Sequence, residues 1–585
     1  MKLAGKPYEA HLLAVILLYV LGFAVYVNSF PVPFVFDDFP NIRDNPSIRL
    51  TSMDIGQMRA AALESHASRR PIANLSFAFN YLLGGYDVKG YHLVNILIHV
   101  ANGVLVYFLA FILMQRPRAY AQQASMPASK ARLAALVAAA IFIAHPVQTQ
   151  AVTYIVQRMT SMATMFYLLA LLLYVLGRLR AGRSARWLYW SAAFASWLFA
   201  LGSKEIAATL PLLVVVSEYL FFRDRDKPWP GIHPGLLIFA LVASAVVVVL
   251  YLGAEPSATI TAQYAGRGLT PGERMLTELR VIVFYASLLL FPYPDRLSLD
   301  HAFTVSQSLT DPISTLAAVF AVLALLCTGL GLARRQPILS FSILWFLITL
   351  CIESSFIGLD LIFEHRLYLP MFGFALAAGF LFSMIAERRR ALAIALAGIL
   401  VVMLAVGTIV RNSTWQDPAV LWADAAAKNP QSYRARNNLG RVLVARGEVE
   451  RAAEQFKEAI RVKPDYAEAY NNLGTLHART GRLDEAQAEF VKAIELNPHY
   501  AQAYNNLGVA LLSQGLALDA ARQLGRAIRL EPRYAKAHAN LSAALVRMGQ
   551  HEVACRHLLI AIEIDPDVRL PRAAPRTCNA DTNSH

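Results

Sequence analysis

Between Tyr8 and Arg411 the chain is a succession of apolar blocks separated by short polar segments. A block of about 20 apolar residues is what an α-helix needs to cross about 30 Å of hydrocarbon, where no water satisfies the backbone. The spans expected on this criterion lie near 11–30, 92–114, 131–145, 160–178, 187–202, 205–222, 235–253, 313–333, 338–353, 367–386 and 391–410. Composition agrees: 56% of residues are hydrophobic and 16% charged, against about 25% charged in ordinary soluble domains. Segment 11–30 has the length of a secretory leader. Its end, Val27-Asn28-Ser29-Phe30-Pro31, is a poor cleavage site, so an uncleaved first helix is expected.

The net charge is +14. Excess positive charge attracts nucleic acid, but here many basic residues fall between apolar blocks, which is the pattern of membrane topology. Lys2 and Lys6, the loop at 115–132, the loop at 178–186, Arg334-Arg335 and Arg388-Arg389-Arg390 are expected on the cytoplasmic side. Parity then requires one apolar segment not to cross. Segment 277–293 has only a short apolar run, from Val281 to Phe291, with Glu278 and Arg280 ahead of it and Pro292 behind. It reads as re-entrant or interfacial. Eleven spans remain, with the N-terminus inside and the C-terminus outside. Segment 71–91 is short, glycine-broken and expected to lie on the outer surface. Cys327, Cys351, Cys555 and Cys578 form no CxxC, and neither a disulfide framework nor a zinc site is expected.

This topology gathers the unusual polar residues on the outer loops. Asp37 and Asp38 follow the first helix; His145, Gln148, Gln157 and Arg158 fall in the second outer loop. Lys204 and Glu205 sit between two apolar blocks; Asp300, His301, Glu364, His365 and Arg366 follow later. Ionisable groups at bilayer depth are costly and point by default to function. The alternative for Lys204 and Glu205 is an ion pair holding helices together. Adjacent acids raise one another's pKa, which suits a base, or bind a divalent cation such as Mg or Mn. The bland alternative is a solvated turn or a helix cap. Arg158, Lys204, Arg366, His145, His301 and His365 have the chemistry to neutralise a phosphate or pyrophosphate.

Past Asn412 the character changes. Pro430, Pro464, Pro498, Pro532 and Pro566 recur every 34 residues, in phase with Asn438, Asn472, Asn506 and Asn540 and with Gly447, Gly481, Gly515 and Gly549. A 34-residue helix–turn–helix period is that of tetratricopeptide (TPR) repeats. The glycines suit left-handed helix ends and the prolines separate repeats. The expected domains are a membrane unit at 1–411, a linker helix region at 412–431, four repeats at 432–567 and a disordered tail at 568–585. The asparagine ladder is placed either to hold an extended peptide of an acceptor protein or to support packing within the array.

The blocks FVFDDFPNIRDNPSI at 34–48, RRPIANLSFAFNYLLGGYDVKGYHLVNILIHVANG at 69–103 and AHPVQTQAVTYIVQRMTSMATMFYLLA at 144–170 occur in this order, followed by GSKEIAATLPLLVVVSEYLF at 202–221 and FEHRLYLPMFGFAL at 363–376. Together with the repeats, the chain resembles the family of multi-spanning TPR proteins that includes transmembrane O-mannosyltransferases acting on cadherins. The resemblance implies an all-α, GT-C-like helical bundle followed by a TPR solenoid. It also implies a polyprenyl-phosphate- or pyrophosphate-linked sugar as donor, used on the extracytoplasmic face. Asp37 and Asp38 occupy the place of the family's catalytic acid, although the protein mannosyltransferases proper carry Asp-Glu there. Arg158, Lys204, His365 and Arg366 are then expected at the donor phosphate, with His145, Gln148, Gln157, Glu205, Asp300, His301 and Glu364 in support. Asn438, Asn472, Asn506 and Asn540 are expected to line an acceptor groove. The expected activity is transfer of the sugar to a Ser or Thr hydroxyl of an acceptor protein; the alternative is a membrane-anchored TPR scaffold. Membrane lipid is an expected partner and nucleic acid is not. The expected place is a bacterial inner membrane, with the N-terminus cytoplasmic and the array periplasmic; in an endoplasmic-reticulum membrane the array would be luminal.

Overall fold

The structure, a computed structural model, describes residues 7–116, 126–223, 268–566 and parts of 235–264 and 568–578. It is helical, with no strand among the described residues. Contacts divide the chain into one unit at Met1–Asp417 and another at Pro418–His585.

Among the described residues of the first unit, seven helices are long and apolar enough to cross a membrane. They are Tyr8–Ser29, Val88–Met114, Ile155–Arg178, Glu205–Phe222, Ser314–Leu332, Met371–Arg388 and Arg390–Trp415. Ala128–Ala144 and Pro146–Val152, bent by 50°, make an eighth if they form one span. The expected segments at 187–202 and 338–353 form the helices Arg183–Leu201 and Pro337–Leu350. The second has 14 residues, about 21 Å. The expected span at 235–253 lies largely outside the described residues.

Close packing in the bundle uses small side chains, as expected where lipid offers no competing hydrophobic drive. A Cβ on Gly379 would come 2.5 Å from the Ala134 carbonyl oxygen and 2.9 Å from Ala138 Cβ. Buried Ala131, Ala134, Ala135 and Ala138 form the facing stripe. Arg390–Trp415 and Ser314–Leu332 are only 17% buried within the protein; their exposed Leu, Ile, Val and Phe side chains suit lipid.

Helix ends form two polar faces. On one, His11 Nδ1 meets Tyr107 Oη at 2.7 Å, Arg178 pairs with Glu218 at 2.6 Å, and Lys130 pairs with Glu387. The other is the loop face. There Asn412 Nδ2 donates to the Val25 carbonyl and Asn412 Oδ1 accepts from Thr153, while His365 meets Gln150. The helix Pro271–Leu290 is not among the helices apolar enough to cross a membrane. Near its start, Arg274 donates to the Ser355 and Glu353 carbonyls; near its end, the Leu289 carbonyl accepts from His145. Both ends therefore serve the loop face. A buried ion pair inside this helix, Arg274 to Glu278 at 2.7 Å, explains why it lacks the hydropathy of a span.

The second unit opens with helix Pro418–Lys428, followed by four helix pairs: Tyr433–Ala445 with Val449–Val462, Ala467–Arg479 with Leu483–Leu496, Ala501–Ser513 with Ala517–Leu530, and Ala535–Arg547 with His551–Ile564. Gly447, Gly481, Gly515 and Gly549 have φ between 77° and 87°, a left-handed conformation that glycine adopts without a Cβ clash. Of residues 412–431, the first four complete the last membrane-unit helix and Pro418–Lys428 packs on the first repeat.

The described part of the tail is folded. Val568 is buried among Ala535, Ala539 and Ala561, and Cys578 is joined to Cys555. The expectation of no disulfide is corrected here: 23 residues separate the two cysteines, and only the return of the tail brings them together. A cross-link of that separation restricts the unfolded chain and stabilises by about 3 kcal/mol. Alkylation of the unreduced, denatured protein should modify Cys327 and Cys351 and leave Cys555 and Cys578 blocked. Reduction should lower the melting temperature of the repeats. Labelling of all four cysteines before reduction would contradict the pairing.

Candidate active site

The loop after the first helix brings the acid pair to the loop face. Phe36 has φ 44°, a strained value for a bulky non-glycine residue, of the kind concentrated at functional sites. A five-residue π-helix, Phe39–Arg43, follows.

The two aspartates have different surroundings. Asp38 is fully buried. Its Oδ2 accepts the Val35 N–H at 2.9 Å and its Oδ1 accepts the Val156 N–H at 2.7 Å. Burial pushes its carboxyl well above the usual carboxylate range, and the two N–H donors oppose that rise. Asp38 therefore ties the first outer loop to the second. Asp37 is only half-buried. Its backbone N–H donates to Tyr154 Oη at 2.7 Å, and the same hydroxyl is hydrogen-bonded to its carboxylate. Burial, followed by the Asp37 and Asp38 charges, holds the Tyr154 phenol protonated. No group of three or more His, Cys, Asp or Glu placed to hold a metal occurs among the described residues.

Arg158 was expected at a phosphate, but its guanidinium is occupied inside the protein. Nε donates to Asn95 Oδ1 at 2.6 Å, Nη1 to the Ser76 carbonyl and Nη2 to the Tyr91 carbonyl, while the group lies over the Phe77 ring at 4.8 Å. It acts as scaffold and as the nearby positive charge for Asp38. Asn95, which the sequence reading missed, also donates to the Val152 carbonyl and so fixes the second loop.

Lys204 and Glu205 do not pair with each other. Lys204 Nζ meets Glu353 at 2.8 Å and Thr160 Oγ1 at 3.0 Å; Thr160 in turn donates to Gln157. Glu205 pairs with Arg70 at 3.1 Å. Arg366 Nε lies 3.9 Å from Glu353 while its Nη groups hold the Leu361 and Asp360 carbonyls. His365 is buried. Burial and the nearby Lys204, Arg366 and Arg70 charges hold its imidazole neutral. Glu364 accepts from the Ser298 N–H and meets His301 at 3.1 Å; the Asp300 N–H lies near Ser298 Oγ. His145 Nε2 donates to Leu289, which makes it a structural residue. Gln148 is buried with neither amide atom hydrogen-bonded.

The structure thus brings Lys204, His365, Arg366, Gln157 and Glu205 into one charged cluster with Arg70, Arg274, Glu278 and Glu353. None of those four was expected at the site; in the sequence Glu278 stands out only as a charge ahead of a short apolar run. Arg70, Arg274 and Glu278 lie in loop or amphipathic segments, where charge is ordinary. Glu353 stands at the end of an apolar block, which was the available signal.

In the repeat unit, Asn472, Asn506 and Asn540 each donate to an asparagine of the preceding repeat. The acceptors are Asn437 at 2.8 Å, Asn471 at 2.9 Å and Asn505 at 2.8 Å. Asn438 accepts from Arg441. The ladder joins repeats, which is the packing alternative, and Asn506 Nδ2 also meets Thr475 Oγ1 at 3.4 Å.

Glu278 carries a testable pH signature. Its carboxyl is pushed up to about 7, chiefly by burial, with Arg366 and Arg274 opposing and Glu353 reinforcing the rise. A raised carboxyl favours the folded state when protonated. Its contribution is complete below the ordinary value near 4.5 and is lost as pH rises through about 7. Glu278→Gln should therefore flatten the fall in melting temperature between pH 5.5 and 8; an unchanged fall would contradict the assignment.

Models of the TPR repeat match residues 440–481, and of the tetratricopeptide repeat residues 471–528. Of solved structures, MamA is similar at 24% identity over 25% of this chain and 86% of its own, with a TM-score of 0.23. Protein O-mannosyl-transferase Tmtc3 of Drosophila melanogaster is 27% identical over 78% of this chain and 56% of its own length. Protein O-mannosyl-transferase F38B6.6 of Caenorhabditis elegans is 25% identical over 77% and 63%, and human TMTC3 25% identical over 76% and 50%. The chain spans between half and two thirds of these relatives. Over about three quarters of its length this chain is thus similar to protein O-mannosyl-transferases, and it carries TPR repeats at its C-terminal end.

Proposed function

We propose that the chain is a GT-C-type protein O-glycosyltransferase that moves a sugar from a polyprenyl-linked donor to a Ser or Thr hydroxyl. The names of its relatives favour mannose. The observation that carries this reading is the division of labour in the acid pair. Asp38 is locked by two backbone donors, whereas Asp37 is half-buried behind a strained Phe36 on the same loop face as Lys204 and Arg366.

Asp37 is the base. It takes the proton of the acceptor hydroxyl; that oxygen attacks the anomeric carbon; and the bond to the donor phosphate breaks with inversion. Lys204 and Arg366 offset the charge on the leaving phosphate. Asp38 holds the loop that aims Asp37.

In this reading the loop face lies outside the cytoplasm, in a bacterial inner membrane with the repeats in the periplasm. The last membrane-unit helix supports this side for the repeats. Its end is bonded to the loop face through Asn412 and Gln416, the latter donating to the Asn28 carbonyl at 2.7 Å. The Cys555–Cys578 pair suits an oxidising compartment. The array presents the acceptor protein, raising its concentration near the site.

Asp37→Asn should lower transfer at least a hundredfold with an unchanged melting temperature. Asp38→Asn should lower both, because an amide cannot accept both N–H groups through oxygen without placing its NH₂ against one. Full transfer by Asp37→Asn would refute the assignment and favour a scaffold.

A further inference from the structure

Glu353 lies just beyond the helix Pro337–Leu350 and is 5% exposed. One of its oxygens faces two cations: Lys204 Nζ at 2.8 Å and Arg366 Nε at 3.9 Å. Neighbouring charges pair one to one, Arg70 with Glu205 and Arg274 with Glu278. Lys204 and Arg366 both face the same Glu353 carboxylate oxygen, while Glu278 and Asp360 also lie near Arg366.

Arg366 Nε, Gln148 Nε2 and Gln150 Nε2 are buried N–H groups with no acceptor, and Gln148 Oε1 is buried with no donor. Gln150 Oε1 bonds His365, and the turn Pro146–Gln148 packs on the turn Glu364–Leu367. These donors therefore surround the residues next to Glu353's partners. Buried donors left unpaired are expensive. A phosphate, negatively charged and rich in acceptors, can pair with Lys204 and take the unpaired Arg366 N–H.

We propose that Glu353 is a built-in substitute for the donor's phosphate. In the empty site it holds Lys204 and Arg366 in place. When the polyprenyl-linked phosphate enters, it takes over Lys204 and the free Arg366 N–H, and Glu353 yields them. After transfer the carboxylate competes with the leaving polyprenyl phosphate and speeds its release. Glu353 is a positioning residue, and the assignment rests on the glycosyltransferase reading above.

The test is equilibrium binding of a polyprenyl monophosphate to the full chain in lipid nanodiscs, with the uncharged polyprenol as control. Wild-type protein should bind the phosphate and prefer it to the alcohol. Glu353→Gln should bind the phosphate at least tenfold more tightly and the alcohol unchanged, and in turnover both KM for the donor and kcat should fall. A Glu353→Gln protein that melts like wild type and binds the phosphate no more tightly overturns the role of Glu353 and leaves the glycosyltransferase reading standing. Wild-type protein with no preference for the phosphate overturns both. If Glu353→Gln does not fold, Glu353→Asp decides: its shorter side chain draws back from Lys204, so affinity should rise at least threefold, and unchanged affinity overturns the proposal.

Discussion

Asp38 is the interaction on which the site depends. Its two oxygens accept N–H groups from two loops more than a hundred residues apart in sequence, at Val35 and Val156. A carboxylate in this position can be buried only because both oxygens are satisfied. Removing either donor would leave a buried acceptor unpaired. The clamp sets the geometry of everything beside it: the strained Phe36, the half-buried Asp37 and the Tyr154 hydroxyl that serves both the backbone and the carboxylate of Asp37.

The same principle organises the rest of the loop face. Arg158, Arg274 and Arg366 are buried cations; Arg274 and Arg366 donate to backbone carbonyls of the 353–361 loop, and Arg158 to carbonyls of two helices. Such groups stitch irregular segments together where no helix or strand can supply the hydrogen bonds. Their number is unusual for scaffold alone, since buried charge adds little net stability. A region that must meet an anion has reason to retain it.

The periodic parts of this chain were legible because periodicity survives any tertiary context. The 34-residue step of proline, asparagine and glycine gave the helix pairs, and the apolar blocks gave the membrane unit's helices. The low hydropathy of Pro271–Leu290 was readable from Glu278 and Arg280 within it. Pairings were not legible. Lys204 lies beside Glu205 in sequence but meets Glu353, and Arg158 looks like an anion ligand but serves Asn95, Ser76 and Tyr91. Which partner a buried charge finds is decided by long-range packing, which a linear pattern does not encode. Cys578 escaped notice for the same reason: its partner lies across a tail that composition alone would leave unfolded.

Function requires the loop face, with Asp37, to lie on the side of the membrane opposite the Lys130–Glu387 face and to share that side with the repeats. The most direct measurement replaces Cys327 and Cys351 by serine, adds single cysteines at exposed Met53, Arg183 or Val491, and reads labelling by a membrane-impermeant thiol reagent. The account predicts that positions 53 and 491 label from the extracytoplasmic side and position 183 only after the membrane is opened. Labelling of 53 and 183 from one side, or of 53 and 491 from opposite sides, would contradict it.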